Sequence, residues 1–420
     1  MKRVLLRVAV VLALVAVCIA GILAVIRGRS DARLERYKRD LRTKGEKLSV
    51  AELRPTGSSN SMIPNLRPLL QQMSRPPIIG GRAQMRPTND WSQMRQLLDT
   101  NAHRLAEVRK AVALKPADLG INWSNWNTSL GADFITVRDA AHWLNSAVLI
   151  ELERGRRLEA LTNLLALLDL AHCHEKEGSF MFQMIRSAMS GLAFESTPDL
   201  LQNPRWQDAD LARLQASWEE VSLSGPLEFS LQMERAVVLN YFQMIRRGTN
   251  IVDIIGMTPS LQDEMFDHLF LPVWRISLSA KDELFYLQRM QLVLDSLRTA
   301  NRTSSGAEFA RTLAKTNMSS PRLAAFRFPV ASAGTPNFSS LPSRWIRRET
   351  ERQLAIAGIG LERYRLRHGK YPEKLEELVP DILGRVPVDF GDGKPLRYKR
   401  VGEKYELWSV WENLRWPRTE

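Results

Sequence analysis

Apolar and polar positions divide the chain into stretches of different character. From Val8 to Ile26 nineteen consecutive residues carry no charge. Wound as a helix they would extend about 28 Å, close to the hydrocarbon thickness of a bilayer. Lys2, Arg3 and Arg7 precede the run and Arg27 and Arg29 close it. It is longer than the apolar stretch of a cleavable signal peptide and lacks a small-residue cleavage site, so it reads as an uncleaved membrane anchor. Asp31 to Ser49 is densely charged and continues the helix out of the membrane. Between Arg54 and Asn89 stand Pro55, Pro64, Pro68, Pro76, Pro77 and Pro87 with Gly57, Gly80 and Gly81. That density of breakers excludes a long helix and predicts an extended spacer.

From Asp90 to about Leu313 the period is helical. Trp91, Met94, Leu97 and Leu98 recur at intervals of three or four, and Leu158, Leu161, Leu164, Leu165, Leu168 and Ala171 form a broad apolar face. Glu151 to Ala160 reads as helix, glycine turn at Gly155, helix. Gly225 to Arg247 and Lys281 to Arg298 predict long helices. Ala147, Gly155 and Ala160 resemble the small-residue spacing of one tetratricopeptide-type hairpin, but no second copy follows at a fixed period, so a regular solenoid is not expected. An irregular bundle of antiparallel helices is. Ser319 to Ser343, with Pro321, Pro329, Gly334, Pro336 and Pro342, reads as a linker.

Beyond it Ile346, Thr350, Gln353, Leu354, Ala357, Leu361 and Tyr364 fall on one helical face, with Arg347, Arg348, Glu351, Arg352, Glu362 and Arg363 mostly off it. Gly369 stops this helix and Tyr371-Pro372 turns the chain. Leu375, Leu378 and Val379 make a short helix. Residues 396–400 and 405–410 alternate and are joined at Gly402 and Glu403, which predicts an antiparallel hairpin with one apolar face for the long helix to cover. The fold class expected is mainly α: an N-terminal transmembrane helix, a helical bundle and a small C-terminal α+β module. The domains expected are 1–30 (tail and anchor), 31–89 (charged stalk and Pro-rich spacer), 90–318 (helical domain), 319–343 (linker) and 344–420 (C-terminal module).

The landmarks Leu361 to Pro372, Leu378-Val379-Pro380, Val386 to Asp389 and Lys394 to Tyr398 follow one another as in type II secretion pseudopilins, and about 70 of the 420 residues resemble the C-terminal fold of that family. The resemblance implies a helix packed on a small sheet and a place in the bacterial envelope. The family's Gly-Phe cleavage motif has no counterpart before Val8. Calcium, which the major pseudopilin binds in a loop near its C-terminus, is not carried over, because Asp389 and Asp392 lack that longer acidic loop and read as turn formers.

The net charge of +13 concentrates near the apolar run, where a basic collar would sit on lipid head groups. A strict count of flanking cations would keep the large domain in the cytoplasm, but long domains translocate largely regardless of charge. No groove-reading motif accompanies the charge, so nucleic acid is not an expected partner. The two cysteines, Cys18 and Cys173, give no disulfide framework.

Candidate chemistry is sparse. His172, Cys173 and His174 with Glu175 and Glu177 look metal-like, but histidines two apart on a helix point about 200° apart and do not share a metal readily. Trp123 and Trp126, set among Asn122, Asn125 and Asn127, are candidates for a ligand or partner surface. Glu195, Glu228 and Glu234 are carboxylates in apolar helical surroundings and the candidates for acid–base work. Phosphate-loop, dinucleotide, nucleophile-elbow and zincin motifs are missing. No metal or cofactor is expected.

The function expected is a non-enzymatic scaffold or interaction protein, anchored from Val8 to Ile26 in the bacterial inner membrane, with its main domain outside the cytoplasm. Its partners would be the lipid bilayer and envelope proteins. Two alternatives are a cytoplasm-facing basic protein that binds nucleic acid or anionic lipid, and an envelope hydrolase using the helical carboxylates.

Overall fold

The computed structural model describes residues 2–53, 63–77, 91–114, 126–172, 178–202, 205–249, 271–317, 328–334 and 340–416. They are mainly helical. The helices are α1 (Lys2–Thr43), α2 (Val50–Leu53), α3 (Ile63–Gln71), α4 (Trp91–Ala113), α5 (Trp126–Glu153), α6 (Arg157–His172), α7 (Phe180–Leu201), α8 (Asp208–Glu220), α9 (Ser224–Arg246), α10 (Ser279–Thr303), α11 (Ala307–Asn317), α12 (Pro329–Gly334) and α13 (Leu341–His368). The strands β1 (Val388–Asp389), β2 (Lys394–Pro395), β3 (Arg397–Val401) and β4 (Lys404–Trp408) form two antiparallel pairs, β1 with β2 and β3 with β4. Residues 1–54, 232–294 and 314–337 group as one compact unit, and residues 55–231, 295–313 and 338–420 as a second. This grouping by contact follows different boundaries from the division suggested by the chain's breakers.

In the first unit α1 runs unbroken past the uncharged stretch to Thr43. Among the described residues no helix is long and apolar enough to cross a membrane. Most side chains between residues 2 and 26, those of Val8 and Ile26 included, lie outside the described residues. The charged second half of α1 is tied to its own unit. Leu34 and Leu41 are buried, and Lys38 joins Arg246 in pairing with the buried Glu283. A π-helical turn, Trp274–Leu278, leads into α10. Its Trp274 stacks on Phe242 and donates its indole N–H to Asp282 at 2.8 Å. Asp282 also accepts the backbone N–H groups of Val330 and Ala331, so it caps α12. Burial raises its carboxyl to about 6 against these three donors.

In the second unit α5 and α6 meet around Gly155, as the glycine turn predicts, and α7 packs on both. The expected extended spacer contains a helix instead. Residues 63–71 form α3, with Pro64 in the first turn, where a missing N–H costs nothing, and Pro68 inside. Leu66 of α3 is fully buried and the helix packs on α4 and α5, so tertiary burial overrides the breakers. The expected linker likewise contains α12, and α13 starts at Leu341, three residues before Arg344.

α13 is the axis of the second unit. It packs on α7 and α8 and also on β4 and the short 3-10 helix Leu375–Leu378. Gly369 ends it in the left-handed conformation at φ 74°, donating to the Arg365 carbonyl. The hairpin pairs residues 397–401 with 404–408, where 396–400 and 405–410 are expected, and turns at Gly402 and Glu403 with Tyr405 and Leu407 buried. Asp389 and Asp392 form the turn between β1 and β2, which their sequence setting predicts.

The expectation of one apolar face on α13 does not hold. Burial extends round the helix through Glu351, Glu362 and Arg363. Each of these charges has a partner. Glu351 binds Arg347 and Arg348, Glu362 binds Arg365 and the Tyr371 hydroxyl, and Arg363 binds Asp208. Asp208 takes Arg363 Nε at 2.8 Å and Arg367 Nη2 at 2.6 Å. The Arg363 hydrogen bonds, supported by Arg367 and opposed by burial, hold its carboxyl down at about 2. A depressed acid stabilises the fold above its unfolded pKa and loses that contribution as pH falls through its folded pKa. The stability difference between wild type and Asp208→Asn is therefore expected to be full above 3.8 and to vanish towards 2. Urea titrations of both proteins across that range check it.

Candidate functional site

An opening in the second unit lies between α5, α7 and α13. α5 and α7 run parallel. The Phe134 and Phe182 rings meet at 4.3 Å near their starts, and Ser196 Oγ donates to Asn145 Oδ1 at 2.8 Å further along both. α7 is apolar on nearly every side, so it fills the core with one face and still offers a second. Phe182, Met189, Ala193 and Leu200 face inward, whereas Met181 is 55% exposed.

Met184, Ile185, Ala188 and Leu192 of that outer stripe line a cavity of about 440 Å³, with Ala141 of α5 opposite. This volume falls in the range of small-ligand sites. Four polar side chains share the wall: Arg138 and His142 from α5, Glu195 from α7 and Arg348 from α13. Arg138 also pairs with its neighbour Asp139. Burial and then the Arg138 charge push His142 below its ordinary pKa, against Asp139, so the imidazole is neutral at pH 7. Its Nδ1 is buried without a hydrogen-bond partner among the described residues.

Arg348 reaches this wall because position 191 has no side chain. A Cβ on Gly191 would stand 2.4 Å from Arg348 Nη1. The guanidinium thus lies against the α7 backbone while Nη1 holds Glu351. Arg348 also borders a second, small cavity of about 20 Å³, lined by Met184, Leu223, Leu227, Leu341 and Trp345. Trp345 is buried between Phe309 and Phe390, and its indole N–H has no acceptor among the described residues. Met184 and Arg348 border both cavities.

No family model, curated protein or solved structure matches this chain.

The candidates read from sequence are scattered. Glu195 is exposed at the cavity wall. Glu228 is paired with Arg298 at 2.7 Å. Glu234, in the first unit, is half-buried, and its main-chain carbonyl accepts the Tyr286 hydroxyl. His172 is half-buried at the end of α6, while Cys173, His174, Glu175 and Glu177 lie outside the described residues. Trp123 also lies outside them, and Trp126 opens α5 with its side chain undescribed. Among the described residues no three His, Cys, Asp or Glu side chains gather as a metal site would require. Sequence reading missed Arg138, His142 and Arg348. The available signal was the outer apolar stripe of α7, with Met181, Met184, Ile185, Ala188 and Leu192 at helical spacing beyond the inward face.

Proposed function

We propose that this chain is a membrane-anchored, non-enzymatic interaction protein of a bacterial envelope assembly. The observation that carries the interaction role is the open, methionine-bearing face of α7, which borders a cavity rather than the core. Methionine adapts to irregular partners, and such surfaces recur where binding is the task. Supporting the anchor are the uncharged residues 8–26 and their continuity in α1 with a folded, charge-paired segment. The envelope assignment rests on the resemblance of the C-terminal residues to pseudopilins, whose order of helix, turn and hairpin α13 and β3–β4 share. The buried carboxylates Glu46, Glu283, Glu351 and Asp389 are engaged by arginine or lysine, which gives them structural work.

A topology reporter active only outside the cytoplasm, fused after Glu420, tests this reading. Activity is expected. A well-expressed but inactive fusion would overturn the envelope assignment and favour the cytoplasm-facing alternative.

A further inference from the structure

Two contacts in the first unit fix how α1 lies beside α10. Lys38 Nζ meets Glu283 Oε1 at 2.7 Å, and Gln291 Nε2 donates at 3.0 Å to Oε1 of Glu46, just past the end of α1. Both contacts link residues 245 positions apart, so the two segments run in the same direction and in register. Carried back towards the N-terminus, that register sets the π-helical turn Trp274–Leu278 opposite residues 29–33, and α1 packs on this turn. Burial along α1 changes at the same level. Val25, Arg27, Gly28 and Arg29 are exposed, and Ser30 is the first buried residue of the helix among those described. The folded unit therefore begins just past the uncharged residues 8–26.

α9 brings a second helix end to this level. It runs antiparallel to α10, since Arg235 reaches Gln291 whereas Arg246, in the last turn, reaches Ser279. Arg275 of the π-helical turn donates to the Ile245 and Thr249 carbonyls at 2.8 and 3.3 Å and so closes the end of α9. The turn buries Trp274 and Ser277 but leaves Ile276 54% exposed, and Val273 just before it is 49% exposed. Arg29, Arg33 and Arg247 are exposed at the same end of the unit. The acid on α1 at this level, Asp31, pairs with Arg27 at 3.6 Å.

We infer that this end of the first unit is a second membrane contact: Val273 and Ile276 sit in the head-group layer of the bilayer that residues 8–26 span, and Arg29, Arg33 and Arg247 meet its anionic phosphates. The inference rests on the anchor reading and goes beyond it, because a lone span leaves a domain free to swing about its base. In the register Val273 and Ile276 stand opposite residues 28 and 31, about 3 and 8 Å along the axis beyond Ile26. The head-group layer is about 5–8 Å deep on each side of the hydrocarbon, so both side chains fall within it. Aliphatic groups gain by leaving water for that layer, and arginine stems lie along it while their charge reaches phosphate.

The test uses the full chain, with Cys18→Ser and Cys173→Ser, in phosphatidylcholine–phosphatidylglycerol vesicles. An environment-sensitive fluorophore is attached at one position at a time, Leu14→Cys, Val273→Cys, Ile276→Cys or Leu292→Cys, all of them exposed. Quenching is read with lipids spin-labelled at the head group or at the acyl end. The Leu14 probe reports on the anchor. Leu292 lies on the same helix as the turn leads into, about 24 Å beyond Ile276 and away from the apolar run, and is the control that stays in water. The head-group label is expected to quench the Val273 and Ile276 probes, whose emission shifts to the blue, and to leave the Leu292 probe unchanged. The acyl-end label is expected to quench the Leu14 probe. Unquenched Val273 and Ile276 probes beside a quenched Leu14 probe would overturn this inference and leave the anchor standing. An unquenched Leu14 probe would overturn the anchor and this inference with it. A blue shift at Ile276 without quenching would show that protein covers the face, and would overturn the membrane contact alone.

Discussion

Arg235→Ala is expected to lose about 3–5 kcal/mol of unfolding free energy, the range for removing one partner of a buried ion pair. Arg235 is 0% exposed in the first unit. Its Nη2 donates to Glu46 Oε2 at 2.8 Å and to the Lys47 carbonyl at 2.9 Å, and its Nη1 donates to Gln291 Oε1 at 2.5 Å. Gln291 Nε2 closes the ring by donating to Glu46 Oε1 at 3.0 Å. Alanine leaves the Glu46 carboxylate buried without its guanidinium partner. The intact triad is a different matter, since its own desolvation offsets most of its attraction. The triple replacement Arg235→Met, Glu46→Leu, Gln291→Leu should therefore recover to within about 2 kcal/mol of wild type. Urea unfolding followed by circular dichroism, with hydrogen exchange on α9 and α10, measures both. A single-variant loss below about 1 kcal/mol would show that water reaches the triad.

Helical period made the long helices legible, because each needs only local spacing: Ser224–Arg246 and Ser279–Thr303 each contain or nearly match the stretch expected. The same local rule misjudged α3, where burial of Leu66 outweighs two prolines. It also misjudged the polar positions of α13. Glu362 and Arg363 are outward by spacing, yet Tyr371 covers the first and Asp208 with Gln215 covers the second. Asp208 lies 155 positions away in the chain, so no window on the sequence contains that pair.

The candidate site was hidden for a related reason. A helix apolar on both faces gives no sign of which face stays open, and α7 is such a helix. Arg348 reads as one cation in a run of Arg344, Arg347, Arg348 and Arg352. What distinguishes it is Gly191, on a different helix, which lets its head group lie against the α7 backbone. The tryptophans chosen from sequence were selected for local polarity, whereas Trp345 stands out through burial without an acceptor among the described residues, a property of the packed structure.

Asp389→Ala is expected to cost about 3 kcal/mol and to loosen the C-terminal hairpin, because four donors lose one buried acceptor. Oδ1 accepts the Gly391 N–H at 2.9 Å and the Ser409 hydroxyl at 2.8 Å, and Oδ2 accepts the Val410 N–H at 2.8 Å and Arg397 Nη1 at 3.1 Å. Asp389 is fully buried, so water does not replace it without rearrangement, and an orphaned donor costs about 1–3 kcal/mol. The total stays below four times that because Arg397 keeps Asp392. The milder replacement Asp389→Asn retains one carbonyl oxygen and is expected to lose about half as much. Both losses appear as lower urea midpoints and faster amide exchange across residues 397–408. The same geometry predicts that calcium leaves the wild-type midpoint unmoved, since the protein's own donors occupy both Asp389 oxygens. A calcium-dependent rise that disappears in Asp389→Ala would show that these contacts open to admit a cation.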